Sequence, residues 1–187
     1  MDFAREAAEL LPYIQNHRRH IHQYPELSFR EKETTEYIQK ELESMGIEVI
    51  RFSDYYGLIG VLKGGRAGKT VLLRADIDAL GIREENELDF CSVHAGVMHA
   101  CGHDCHSAML LGAAKILSAY RDALKGTVKF LFQSAEESGH GANYYVDHGC
   151  LDGVDAAMAI YMMNEIPEGT FSIEAGPRMA SCTDFTL

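Results

Sequence analysis

Two short, almost continuously apolar segments constrain the fold of this sequence most strongly. They cover residues 70–76 and 127–133, and a helix-like segment lies between them, from about Ser107 to Tyr120. Apolar runs of this length without alternation are typical of strands that are buried on both faces. Such strands, alternating with helices, predict an α/β fold of three layers in which helices flank a largely parallel, possibly mixed, central sheet.

Other elements are predicted from local signals. Pro12 and Pro25 delimit one helix, because proline is tolerated only in the first turn. Ser28 followed by Glu31 matches a capping box, so Ser28 is predicted to begin a helix that ends near Met45. Weaker patterns predict strands at residues 47–52, 58–62, 156–162 and 170–174, and a helix at residues 143–148. A length of 187 residues suits a single domain.

Each of the two buried strands runs into an acidic cluster. The first is followed by Asp76 and Asp78, and the second by Glu136 and Glu137. Ligands of open α/β sheets bind at the carboxyl ends of the strands. Adjacent carboxylates repel one another there, and a bound cation would relieve the repulsion. The alternative for the glutamate pair is a solvated helix start, where acidic residues favour the helix dipole.

A third cluster lies immediately before the helix at Ser107. Residues 97–106 contain six candidate ligands, namely His99, Cys101, His103, Asp104, Cys105 and His106. Thiolate, imidazole and carboxylate are the ligands of zinc and of its neighbours manganese, cobalt and nickel. In extended backbone Cys101 and His103 would point in the same direction and could bind one ion. The alternatives are a closed structural zinc site built from Cys101, His103, Cys105 and His106, or a helix N-terminus with incidental polar residues.

The three clusters together predict metal-assisted hydrolysis. Cys101, His103 and Glu137 would hold a divalent metal ion, which acidifies a water molecule and polarises a carbonyl oxygen. Glu136 would take the proton of the water and pass it to the leaving amine. Asp76 would fix the ligand histidine through a hydrogen bond to its other ring nitrogen. The substrate contacts cannot be assigned from the sequence.

Charge and cysteine usage exclude several other classes of protein. The formal net charge is −11, so binding to nucleic acid or to an anionic membrane surface is not expected. The sequence contains neither a secretory signal nor an apolar segment of bilayer length. Its 5 cysteines are irregularly spaced, which favours a reducing compartment and predicts a cytoplasmic protein. The oligomeric state is not predicted.

Residues 96–104, Gly-Val-Met-His-Ala-Cys-Gly-His-Asp, resemble the signature of the aminoacylase/carboxypeptidase superfamily of metallopeptidases, peptidase family M20. They are most similar to its amidohydrolase branch, which includes hippurate hydrolases, N-acetyl-diaminopimelate deacetylases and auxin-conjugate hydrolases. Residues 18–28, 74–80, 132–137 and 176–181 are similar to further blocks of the family. The resemblance implies an aminopeptidase-like catalytic domain with one or two divalent metal ions. It also implies hydrolysis of N-acyl amino acids or small peptides.

The family's site residues match this sequence only in part. Cys101, His103 and Glu137 match metal ligands, and Glu136 matches the general acid/base. In the family a further histidine ligand follows in a later strand, and Tyr161 stands at that position here. A phenol is a poor substitute for imidazole as a metal ligand.

Cys105 replaces a glycine of the family and adds a thiol beside the site, and two milder departures are Gly81 and Ser134, which replace prolines. The histidines of the first block, His17, His20 and His22, are expected to be structural.

The family's chain continues beyond the part that this sequence matches. The resemblance therefore implies that residues 1–187 are the N-terminal part of a catalytic domain, without the lid or dimerisation domain and without the C-terminal catalytic segment that brings a final histidine ligand. Two alternatives to an active amidohydrolase follow. One is a non-catalytic fragment or remnant with a partial metal site, and the other is a small structural zinc-binding domain.

Overall fold

The computed structural model of the chain describes residues 2–177 and 179. Its helices are α1 (Phe3–Glu9), α2 (Leu11–Gln23), α3 (Lys32–Ser44), α4 (His103–Ala119) and α5 (Gly141–Asp147). Its strands are β1 (Glu48–Arg51), β2 (Leu58–Lys63), β3 (Arg66–Asp76), β4 (Lys125–Gln133) and β5 (Ala156–Ala159). A short 3-10 turn, Arg121–Ala123, precedes β4. No helix of the described residues combines the length and the apolar character needed to cross a bilayer.

The strands form one mixed sheet in the order β1-β2-β4-β3-β5. The pairs β1–β2 and β2–β4 are antiparallel, whereas β4–β3 and β3–β5 are parallel. The two apolar segments identified in the sequence are thus adjacent parallel strands, with Leu73 opposite Phe130 and Asp76 opposite Gln133. The sequence analysis allowed for a mixed sheet, and the sheet is mixed. Both acidic clusters follow strands of its parallel half, at the carboxyl ends of β3 and β4.

Helices cover both faces of the sheet, which confirms the three-layer α/β prediction. On one face, α3 and α4 pack against the sheet through a cluster that includes Leu42, Leu111 and Phe130. On the other face, Tyr145 of α5 packs with Ile59 and other apolar side chains of the sheet. Successive residues of β4 alternate between the two clusters, because side chains of a strand point to opposite faces in turn.

Three local predictions were wrong. Helix α4 begins at His103 rather than at Ser107, because its first turn buries polar side chains that do not show in an apolar pattern. Ser28 does not cap α3, whose N-cap position is occupied by Glu31. Residues 170–174 do not form a strand, and their side chains are exposed. Positions 178 and 180–187, which include part of the last family-like block and Cys182, lie outside the described residues.

Removal of the Phe130 ring is expected to destabilise the fold strongly. Phe130 is fully buried at the centre of the sheet, and Phe→Ala substitutions in cores cost about 3–5 kcal/mol because they leave a cavity. The free energy of unfolding is to be measured by urea denaturation. Phe171→Ala is the matched control, since Phe171 is 79% exposed and its loss is expected to change stability by less than about 0.5 kcal/mol. Equal midpoints for the two variants would contradict the packing described here.

Candidate metal centre

Four segments of the chain meet at the carboxyl edge of the parallel strands. Asp76 ends β3, and His103 lies in the first turn of α4. Glu136 and Glu137 lie in the turn after β4, and Tyr161 follows β5. Because β3, β4 and β5 run in the same direction, their carboxyl ends lie side by side and bring these segments together.

The imidazole of His103 is the buried centre of the cluster. The Nδ1 atom of His103 donates to the backbone carbonyl oxygen of Asp78 at 2.8 Å. This bond leaves the lone pair on Nε2, which lies 3.6 Å from Oε1 of Glu137 and 3.7 Å from Oε2 of Glu136. An imidazole held through one nitrogen, with the other facing carboxylates, has the arrangement of a metal ligand.

Cys101, His103 and Glu137 present one ligand atom each within 4.8 Å of one another. Nε2 of His103 and Oε1 of Glu137 are buried and have no hydrogen-bond partner among the described residues. Buried polar atoms without partners are costly, and a cation between them would satisfy both. Burial raises the pKa of the Cys101 thiol to about 11, and a bound cation would favour the thiolate. The residues therefore fit a divalent metal ion.

In a second group of candidate ligands, Asp76, His103 and His106, the side chains of Asp76 and His106 are already satisfied by internal contacts. Nδ1 of His106 contacts Oδ1 of Asp76 at 2.5 Å, and Nε2 of His106 accepts from the backbone N–H of Met162 at 2.9 Å. Arg74 binds the other carboxylate oxygen of Asp76 at 2.8 Å. This group serves to hold α4 and the segment after β5 against the end of β3.

The predicted role of Asp76 needs a correction. Asp76 does bind a histidine, but the partner is His106 rather than the candidate ligand His103. The second ring nitrogen of His103 is held by the backbone carbonyl oxygen of Asp78 instead. A backbone acceptor is present at every residue, so the sequence pattern cannot show which position of this segment holds the histidine.

The acidic groups of the centre have shifted proton affinities. Burial would raise the pKa of Asp76, but the hydrogen bond from His106 and the neighbouring charge of His103 hold it below its usual value. Burial raises the pKa of Glu136, and the nearby carboxylate of Asp76 raises it further. The side chain of Glu136 is 38% exposed. A carboxyl group with a raised pKa at the mouth of such a centre is suited to proton transfer.

Tyr161 lies in the centre, at the position where the family resemblance implies a histidine. Its Oη atom is 3.1 Å from Sγ of Cys101, so the phenol and the thiol share a hydrogen bond. This bond and burial raise the pKa of Tyr161 to about 12. The segment also passes close to Gly102, where an added Cβ would lie 3.2 Å from Cβ of Met162 and where φ is +111°. A glycine is needed at this close approach.

The closed zinc site considered as an alternative is not assembled. Cys105 belongs to neither group of candidate ligands found within residues 2–177 and 179. Two of the α2 histidines have hydrogen-bond partners elsewhere, since His22 binds Asp104 at 2.8 Å and Glu84 at 3.0 Å, and His17 contacts the hydroxyl group of Tyr37 at 2.5 Å. They are structural in the fold described here.

The sequence interpretation missed the roles of Asp78, His106 and Glu31. It recognised the acidic cluster that contains Asp78, but it did not assign Asp78 as the residue that holds His103. His106 was named as a candidate metal ligand, and its contact with Asp76 was not anticipated. Glu31 was assigned to a capping box, and its side chain instead accepts the backbone N–H of Ala135 at 2.8 Å. No local pattern indicates this contact, because the two residues are 104 positions apart.

Comparisons with known proteins agree with the fold. The model of a family described as peptidase family M20/M25/M40 matches residues 72–183. An N-acetyl-L-cysteine deacetylase of Bacillus subtilis (strain 168) is 46% identical over 170 residues, which are 91% of this chain and 41% of that protein. An N-acyl-L-amino acid amidohydrolase of Geobacillus stearothermophilus is 44% identical, over 91% of this chain and 46% of that protein.

A solved structure from Bacillus subtilis, described as a dinuclear metal-binding peptidase of family M20, superposes with a TM-score of 0.86 at 43% identity. The match covers 89% of this chain and 47% of that one. The chain therefore spans about half the length of the relatives that it matches.

Proposed function

The chain belongs to peptidase family M20/M25/M40, and from this premise we propose that it forms the metal-binding part of an amidohydrolase. Its substrates are N-acyl amino acids or small peptides, and the bond that is cleaved is the amide. In this proposal residues 1–187 correspond to the N-terminal part of the relatives' catalytic domain. The names of the relatives, a deacetylase and an N-acyl-L-amino acid amidohydrolase, support the substrate class.

One observation carries the proposal. Nε2 of His103 and Oε1 of Glu137 are buried without partners in the described part of the chain, and both lie within 4.8 Å of the Cys101 thiol. Zinc, manganese, cobalt and nickel all accept this combination of ligands. A divalent ion held there supplies a Lewis acid that polarises the amide carbonyl and acidifies a water molecule.

The chain's own residues have distinct parts in this reaction. Asp78 holds the ring of His103 so that Nε2 faces the centre. Glu136 takes a proton from the water at its partly exposed carboxyl group and delivers it to the nitrogen of the leaving amine. Its raised pKa supports the first step, because the conjugate base of a weaker acid takes the proton of the water more readily.

The proposal is tested by metal analysis together with substrate hydrolysis. Purified protein is dialysed against a metal-free buffer, reloaded with each of the four ions and analysed for metal content per chain. Amine release is then measured with N-acetyl and N-benzoyl amino acids. The proposal expects bound metal and hydrolysis of at least one substrate class. A chain that binds no divalent ion would contradict it.

A second candidate is a metal-binding protein without hydrolytic activity. Tyr161 favours it, because the phenol hydrogen bonds with Cys101 where the resemblance implies a histidine ligand. Metal binding without any amine release would support this candidate over the first. The free thiols of Cys91, Cys101, Cys105 and Cys150 support a reducing compartment, and we place either candidate in the cytoplasm.

Replacement of Tyr161 by histidine is expected to strengthen metal binding by about tenfold or more, equivalent to at least about 1.4 kcal/mol. Imidazole offers an unprotonated nitrogen near neutral pH, whereas the phenol of Tyr161 keeps its proton because its pKa is about 12. The dissociation constant is measured by competition with a chromophoric chelator. Tyr24→His is the control, since Tyr24 lies on the surface at the end of α2. Equal affinities for Tyr161→His and the unchanged chain would show that position 161 does not face the ion.

A further inference from the structure

The turn that carries Glu136 and Glu137 is held by its backbone. Four successive N–H groups, those of residues 134–137, each donate to a side chain outside the turn. The acceptors are Tyr145 Oη at 2.9 Å, Glu31 Oε1 at 2.8 Å, Asp78 Oδ1 at 3.1 Å and Asp78 Oδ2 at 3.0 Å. We call residues 134–137 the clamped turn.

The clamped turn needs external support because of its backbone conformation. Ala135 has φ +57°, in the left-handed region that is unfavourable for a residue with a Cβ atom. Ala135 is also completely buried, so water cannot satisfy its N–H group. Without its acceptor this residue would tend to leave the left-handed region, and the next two residues, Glu136 and Glu137, would change direction with it.

Glu31 supplies that acceptor from the beginning of α3. Its side chain is fully buried, and burial raises the pKa of its carboxyl group. A carboxyl group is costly to place in a protein interior unless it makes hydrogen bonds. Glu31 does not cap α3, since its side chain makes no cap hydrogen bond there. Its Oε1 atom binds the N–H group of Ala135, whereas its Oε2 atom is buried without a hydrogen-bond partner among the described residues.

We propose that Glu31 is a positioning residue of the metal centre: by binding the N–H group of Ala135 it fixes the direction in which Glu136 and Glu137 leave the clamped turn. The proposal rests on the proposed function for the presence of a metal ion. Glu31 is a better test of positioning than Asp78. Asp78 also contacts His103 directly, so a change at Asp78 would alter a candidate ligand as well as the turn. Glu31 acts on the centre through the turn, so a change at this position tests positioning.

Two substitutions separate the reach of the side chain from its charge. Glu31→Gln keeps an acceptor oxygen at the same reach and removes the charge. Glu31→Asp keeps the charge but shortens the side chain by one bond of about 1.5 Å. The carboxylate then lies too far from the N–H group of Ala135 for a hydrogen bond. We expect Glu31→Gln to bind a divalent ion within about threefold of the unchanged chain. We expect Glu31→Asp to bind it about 10–100-fold more weakly, the usual effect of losing a supporting hydrogen bond near a metal ligand.

A second measurement tests the stability of the clamped turn in the absence of metal. Amide hydrogen exchange in the metal-free protein is expected to quicken at Ala135 in Glu31→Asp and to stay slow in Glu31→Gln. The amide of Phe130, in the same strand-turn unit, is the internal reference and should not change in either variant. If the unchanged chain binds no metal, the proposed function fails, and the exchange data alone decide the role of Glu31.

Leu42→Ala controls for general loss of stability, because Leu42 is a fully buried residue of α3, the helix that Glu31 directly precedes. It is expected to lower the unfolding midpoint and to leave metal affinity within about threefold. Equal metal affinity and equal exchange in Glu31→Asp and Glu31→Gln would overturn the proposal. So would weak binding in Glu31→Gln with normal binding in Glu31→Asp, which would indicate an effect of charge. If neither variant folds, Glu31 is required for the fold itself and the proposal is equally overturned.

Discussion

Replacement of His103 by alanine is expected to abolish stable metal binding. We expect a loss of more than about 100-fold in affinity, since even partners outside the ligand set cost up to that amount. His103 is the only residue shared by both groups of candidate ligands within residues 2–177 and 179. Its Nε2 atom is buried and faces three carboxylates at 3.6–3.7 Å. Without the imidazole, the remaining thiol and carboxylate leave an incomplete and more open site.

The measurement is metal content per chain after dialysis, followed by a dissociation constant from chelator competition. His140→Ala is the matched control, because His140 is an exposed histidine next to the turn and belongs to neither candidate group. It should keep the full metal content. Cys105→Ala should keep it as well, whereas Glu137→Ala should lose it. Loss of metal in Cys105→Ala together with retention in Glu137→Ala would show that the ion is held by a local cysteine and histidine site instead.

Replacement of Glu136 by glutamine is expected to lower kcat by about 10²–10⁴-fold, the usual contribution of a general acid or base. Glutamine has nearly the same size and keeps the side chain in place, but it cannot accept the proton of a water molecule. Glu136 is absent from the three residues that converge on the candidate metal position. Metal content should therefore remain unchanged while turnover is lost.

The substrate for this measurement is the N-acyl amino acid that the hydrolysis panel identifies. Glu168→Gln is the control, because Glu168 is an exposed glutamate that belongs to neither group of candidate ligands, and the turnover of this variant should equal that of the unchanged chain. A Glu136→Gln variant with turnover within about threefold of the unchanged chain would rule out proton transfer by this residue. Combined loss of turnover and metal would instead make Glu136 a ligand.

The alternation of apolar strands and helices was readable from the sequence because it depends on neighbouring residues. Segments 70–76 and 127–133 predicted two strands buried on both faces, and they are the adjacent parallel strands β3 and β4. The antiparallel half of the sheet was less visible, because the direction of a strand follows from its connections rather than from its own residues. The start of α4 was predicted too late in the chain. His103 and Asp104 are buried but polar, so a search for periodic apolar residues does not include them in the helix.

The candidate metal ligands were also nominated by local chemistry. Cys101 and His103 were selected by ligand type and spacing, and the structure brings them together with Glu137. The stated geometric reason was wrong, however. His103 lies in a helical turn that follows the left-handed Gly102, and the two side chains do not extend from one continuous strand. The metal-binding role of the three residues remains a prediction that the experiments above test.

Residue type and short-range spacing were sufficient to predict the alternation of elements, the acidic strand ends and the candidate metal ligands. The contacts that orient these residues became visible only in the folded chain: the backbone carbonyl of Asp78 with His103, Asp76 with His106, and Glu31 with the backbone of the clamped turn. These pairs lie 25, 30 and 104 positions apart. Contacts over such separations depend on how the strands are ordered and how α3 and α4 pack on the sheet, and no local pattern in the chain specifies them.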